Sequence, residues 1–160
     1  MRELTLVRHA KSDWGNPGLT DHDRPLNHRG ERNAPMMARR LAASGAEVQR
    51  ILASTAVRAR TTAEVFGAAL GVPVELDEEL YLASASTLLT KAAEAGSESG
   101  SPSVMVVAHD PGISGLASYL SEGGIDHMPT CAVARFLWRD GSWSEAIDRP
   151  ADSWALDTPR

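Results

Sequence analysis

Short apolar runs alternate with longer stretches of helical spacing along most of this chain. Residues 3–8, around Leu4-Thr5-Leu6-Val7, form a continuous β-favouring run and predict a buried parallel strand. A polar, turn-rich loop follows over residues 12–25, with Gly15, Asn16, Pro17 and Gly18. Ala34, Met37, Ala38 and Leu41 then recur at helical spacing, predicting a helix over 27–44 closed by Gly45. Pro35 falls inside it and calls for a kink or a late helix start.

The alternation continues. Residues 50–53 predict a second strand, which feeds Ser54 or Thr55 as the N-cap of a helix. Ala63, Phe66 and Leu70 line one face of that helix, and Gly71 ends it. A third strand is expected over 72–76, an acidic turn over 77–79, and a helix over 86–95. Residues 96–102 read as a flexible Gly/Ser connection to a fourth strand over 103–108. Asp110-Pro111 has the form of N-cap and first turn of a helix with Ile113, Leu116, Ala117 and Leu120 inward. Two strands over 132–138 and 143–147, joined at Asp140-Gly141, suggest a closing hairpin in which Trp138, Trp143 and Trp154 pack. The polar tail over 148–160 is expected to be only partly ordered.

Such alternation predicts a three-layer α/β/α sandwich whose mostly parallel sheet has an antiparallel edge. A length of 160 residues suits a single domain spanning 1–160. The net charge of -5 argues against general nucleic-acid or membrane-surface binding. Cys131 is the sole cysteine, so no internal disulfide or thiolate metal cage is available. With no apolar stretch of signal or membrane length, a cytoplasmic location is expected.

Two strands end in histidine. His9 follows Arg8 at the end of the first, and His109 ends the fourth. Carboxyl ends of parallel strands are where open α/β sheets bind ligands. Two imidazoles and an arginine gathered there call for an anion, phosphate above all. Positive charge beside His9 favours neutral imidazole, the nucleophilic form. At His109, the start of the next helix would offer backbone N–H groups to the same anion. Arg58 and Arg60 both lie in the first turn of the second helix, and periodicity does not choose between them. Asp21-His22-Asp23 with His28 looks like a solvated polar run rather than a metal site, and His127 like loop or pocket rim.

These residues together resemble the histidine phosphatase superfamily, with its phosphoglycerate mutase-like fold, and within it the short phosphohistidine phosphatases of the SixA type. Arg8-His9-Ala10 matches the Arg-His-Gly signature. Ser54 to Thr62 matches Ser-x-x-x-Arg-Ala-x-x-Thr and selects Arg58. His109 lies in a His-x-Pro-Gly context, and Arg24-Pro25-Leu26-Asn27-x-x-Gly30 resembles Arg-Pro-Leu-Thr-x-x-Gly.

The resemblance implies a metal-independent and cofactor-free phosphatase in which His9 takes up the phosphoryl group while Arg8, Arg58 and His109 hold its oxygens. Ala10 replaces a glycine, and Asp110 stands where asparagine is frequent. The acid that mutase-like relatives keep after the third strand has no counterpart at Leu80-Tyr81-Leu82-Ala83. Glu78 and Glu79 are displaced from it, and Asp13, Asp21 and Asp110 are the other carboxylates able to substitute. A missing acid favours a labile P–N bond over a phosphate ester. The expected substrate is therefore phosphohistidine on a signalling protein, acted on by a monomer. A small-molecule phosphate ester is the alternative substrate, and a non-catalytic phospho-ligand module the alternative class.

Overall fold

A computed structural model describes residues 1–160. The strands are β1 (Arg2–Arg8), β2 (Arg50–Ala53), β3 (Val74–Leu76), β4 (Ser103–Ala108), β5 (Val133–Trp138) and β6 (Ser153–Asp157). The helices are α1 (His28–Ala43), α2 (Val57–Leu70), α3 (Ala85–Ser99), α4 (Gly112–Leu120) and the short α5 (Trp143–Ala146). Single 3₁₀ turns occupy Asp21–Asp23 and Glu78–Leu80. The strands form one sheet in the order β3-β2-β4-β1-β5-β6. β3, β2, β4 and β1 run parallel, while β5 and β6 are antiparallel additions.

The two-residue period of the strands sorts the core into two layers. Leu4, Leu6, Val104 and Val106 face α3, α4 and α5. Val7, Met105, Val107, Ile51 and Ala53 face α1 and α2. Every residue of β4 is buried, as befits a central parallel strand covered on both sides. β1 and β4 are neighbours, yet the chain leaves β1 for α1 on one face and β4 for α4 on the other. A crevice opens at such a divergence, at the carboxyl ends of the two strands.

Several expectations are corrected. The first helix starts at His28, capped by the Asn27 side chain on Gly30 N–H, and runs through Pro35 without a late start. Neither Ser54 nor Thr55 caps α2, whose N-cap position falls on Ala56. α3 continues through Gly96 to Ser99, so much of the expected flexible connection is helix. Trp143 lies against Gly96 and donates from its indole to the Ser101 carbonyl at 2.8 Å, stabilising that last turn.

The closing region differs most. Residues 143–146 are helical because Ser142 and Glu145 form a reciprocal capping box, and the strand antiparallel to β5 comes later, as β6. The tail therefore supplies the sheet edge. Trp138 and Trp143 are buried with rings 6.4 Å apart, whereas Trp154 lies half-exposed on β6 over Gly124. No helix is long and apolar enough to cross a membrane.

Candidate functional site

Register brings the two histidines together. Arg8 pairs with Ala108 across β1 and β4, and His9 N–H donates to the Ala108 carbonyl at 3.1 Å. One step beyond, the His9 and His109 rings lie 5.1 Å apart. Both are buried. His9 Nδ1 is 2.8 Å from the carbonyl of Ala10. A carbonyl only accepts, so Nδ1 carries the proton and Nε2 keeps its lone pair. Burial pushes the pKa of His9 down to about 4, with the charges of Arg58, Arg8 and Arg24 adding to the effect and the Ala10 bond opposing it. That of His109 falls to about 3, from burial first and then His9 and Arg58. At neutral pH both rings are neutral.

The backbone around His9 is tied down. Ala10 N–H donates to Thr62 Oγ1 at 3.0 Å, and that hydroxyl donates to the Arg58 carbonyl at 2.8 Å. Thr62, one turn beyond Arg58 on α2, thus joins the end of β1 to the helix that carries the arginine. Cys131, at φ 62°, turns its N–H toward the carbonyls of both Arg8 and His9. Ala10 lies outside the positive-φ region, which is why it can stand where a glycine was expected.

Two motif glycines permit close approach. A Cβ on Gly30 would meet the Lys11 carbonyl at 2.2 Å, and one on Gly112 would meet the Ala83 carbonyl at 2.0 Å. The first lets α1 abut the segment after His9. The second brings residues 81–84 against the start of α4, beside His109.

Arg58 is buried, while Arg60 is half-exposed and points toward Glu64. The structure thus separates the two arginines that periodicity left equivalent. Arg8 Nη1 donates to the Met128 carbonyl at 3.1 Å and lies 3.5 Å from Asp110 Oδ2. Three buried nitrogens in this cluster have no partner: Arg8 Nε, Arg58 Nε and His109 Nδ1. The other nitrogen of His109, Nε2, is 2.7 Å from Ser54 Oγ. Ser54 is thereby a partner of the second histidine rather than a helix cap.

Asp21, Asp23 and His28 are exposed, as a solvated polar run requires, yet Asp21 and His22 also bond residues of the site. Asp21 accepts from Arg24 and Arg58, and His22 Nε2 bonds Thr55 Oγ1 at 2.8 Å. Tyr81 donates to Asp21 Oδ2 at 2.5 Å, and its ring lies edge-on to both His109 and His22. From the sequence Asp21 reads as part of a solvated polar run and as a possible acid, and Tyr81 has no role beyond standing where relatives keep an acid. That position was the one signal available for it.

Of the other candidate acids, all but Glu78 are engaged. Asp110 Oδ1 accepts from the N–H and the hydroxyl of Ser114, a capping role from one residue before the N-cap position, while Oδ2 faces Arg8 and His127. Asp13 caps Gly15 N–H, Glu79 pairs with Lys91, and Glu78 is exposed. His127 sits at the rim, as expected.

Residues 4–81 match the model of the histidine phosphatase superfamily, branch 1. An uncharacterised protein of Mycobacterium tuberculosis is 34% identical over 149 residues, covering 93% of this chain and 90% of its own. Among solved structures, an Agrobacterium tumefaciens protein assigned as the phosphohistidine phosphatase SixA superposes with a TM-score of 0.80 at 28% identity, over 99% of this chain and 98% of its own. A protein histidine phosphatase SixA complexed with tungstate gives a TM-score of 0.75 at 25% identity, over 98% and 94%. The fold, the motif order and these relatives agree: this chain is a histidine-nucleophile phosphatase of the histidine phosphatase superfamily.

Proposed function

We propose that this chain removes phosphate from phosphohistidine on a cytoplasmic signalling protein, with His9 as the nucleophile and Arg8, Arg58 and His109 around the phosphoryl oxygens. The observation that carries the reading is the Nδ1 bond of His9 to the Ala10 carbonyl, which leaves Nε2 unprotonated among cationic side chains. His9 Nε2 attacks phosphorus in line as the substrate P–N bond breaks. The departing imidazole takes the bonding pair and leaves neutral, because its other nitrogen is already protonated. Water then attacks the phosphoryl group on His9, releasing inorganic phosphate and restoring the neutral ring.

The non-bridging oxygens need donors that match charge spread over phosphorus. Arg8 Nε and Arg58 Nε, buried and unpartnered, support that role. For His109 the same role requires the Ser54 hydroxyl to donate to Nε2, leaving the proton on Nδ1. The choice of P–N over P–O rests on the carboxylates. Asp21 is held ionised by Tyr81 and the two arginines, and Asp110 is engaged by Arg8, Ser114 and His127. An alkyl ester needs a proton for its leaving oxygen, and a protonated phosphoimidazole does not.

The test is hydrolysis of a phosphohistidine-bearing phosphotransfer domain beside a panel of phosphate esters. Phosphohistidine turnover should exceed ester turnover, and His9→Ala should lower it by at least about a thousandfold. Strong ester turnover with no phosphohistidine hydrolysis would overturn the substrate class.

A further inference from the structure

We propose that Asp21 is a positioning residue of this site: its carboxylate, tethered by the Tyr81 hydroxyl and by Arg24, holds the Arg58 guanidinium where its free N–H groups meet the phosphoryl oxygens. The proposal rests on the phosphatase site described above and adds residues that touch no reacting atom.

Arg58 reaches the 3₁₀ turn through both terminal nitrogens. Nη1 donates to the Asp21 backbone carbonyl at 2.7 Å, and Nη2 to Asp21 Oδ2 at 3.0 Å. A guanidinium has five N–H groups in a rigid plane, so fixing two of them fixes the direction of the rest. Nε is among those left free, and it is buried without a partner. Asp21 is itself held from both sides. Oδ2 takes the Tyr81 hydroxyl, and Oδ1 takes Arg24 Nε at 3.2 Å and Nη2 at 3.0 Å. Arg24 is anchored in turn by Ser12 Oγ at 2.6 Å and by the Trp14 ring, 3.4 Å from its guanidinium carbon.

A lone exposed ion pair holds a long side chain poorly. Here the carboxylate collects four side-chain bonds from three separate parts of the chain, and each partner limits the freedom of the next. Two other roles for Asp21 make different predictions. A proton donor would have to be protonated, yet both oxygens accept, and the carboxyl is held well below the usual carboxylate range by the Tyr81 hydroxyl first and the arginines after it. A stand-in anion that competes with phosphate for Arg58 would weaken anion binding, so its removal would tighten it. Positioning has the opposite sign.

The experiment measures calorimetric binding of inorganic phosphate and tungstate, steady-state kinetics and melting temperature for wild type, Asp21→Ala, Tyr81→Phe and His9→Ala. Asp21→Ala keeps the backbone contact to Arg58 and reads the carboxylate alone. It should weaken anion binding at least tenfold and lower kcat/KM by at least as much. Tyr81→Phe, which removes only the tether, should weaken both in the same direction by about threefold to tenfold, near one hydrogen bond's worth. Tighter anion binding in Asp21→Ala would overturn the proposal in favour of a competing anion. A lowered melting temperature with unchanged binding would overturn it in favour of a purely structural role. If Asp21→Ala does not fold, unchanged binding and kcat/KM in Tyr81→Phe would overturn it instead. Activity surviving in His9→Ala would point to failure of the underlying mechanism, whereas an inactive His9→Ala beside a wild-type-like Asp21→Ala would sink the positioning role alone.

Discussion

As the proposed nucleophile, His9 can act only while its ring is neutral, and burial extends that condition far into acid. With its pKa near 4, kcat/KM should stay level from neutral pH down to about pH 5 and fall below about pH 4. An exposed histidine would lose its nucleophile near pH 6.5 instead. A pH–rate profile on a substrate whose own ionisation is known checks this, and an inflection near 6.5 would contradict the assigned burial. The same shift has a stability cost. Between pH 6.5 and about 4 the unfolded chain binds a proton at this position and the folded chain does not. Stability is thus full above 6.5 and declines as pH falls, by on the order of 3 kcal/mol from His9 alone at about 1.4 kcal/mol per unit. His109 acts in the same direction, so the melting temperature should drop across this window before most carboxylates titrate. Not every residue of the site was equally legible. His9 and His109 could be read because each closes an apolar strand. Asp21 and Tyr81 lie in irregular segments, where no period says which way a side chain points.

At the scale of elements, β1 and α2 act as one unit through Thr62. Its hydroxyl is the acceptor for Ala10 N–H and a donor to the Arg58 carbonyl. Thr62→Val keeps the volume and leaves a buried N–H without a partner. A loss of about 1–3 kcal/mol is expected from denaturant unfolding. Because Ala10 also supplies the carbonyl that sets the tautomer of His9, kcat should fall as well, and a loss of stability with full kcat would refute the coupling. The parallel strands were legible as short continuous apolar runs, and the long helices from their strong period. The end of the chain was not, because Asp140-Gly141 looks like a hairpin turn. The overlooked signal was Ser142-x-x-Glu145 just beyond it, a capping box that starts a helix and postpones the antiparallel strand to Ser153–Asp157.

Across the whole molecule, chemistry and cohesion occupy different places. The proposed reactive groups cluster at the carboxyl ends of β1 and β4, while Trp143 fastens α5 to the last turn of α3 and to Ser101, just before β4 begins. Truncating this buried ring should cost about 3–5 kcal/mol. Trp143→Ala should therefore melt at a clearly lower temperature while its folded fraction keeps wild-type kcat, measured at a temperature where the protein remains folded. A parallel fall in kcat would show that the two ends of the sheet are coupled.

The direction of β1 also has a practical consequence. The strand starts at Arg2 and reaches Arg8 six residues later, a span of about 20 Å at roughly 3.3 Å per residue. An affinity tag, a fluorophore or a surface linker attached at Met1 therefore emerges from the end of the sheet remote from His9. The enzyme can be immobilised there with the His9 end of the sheet facing solution.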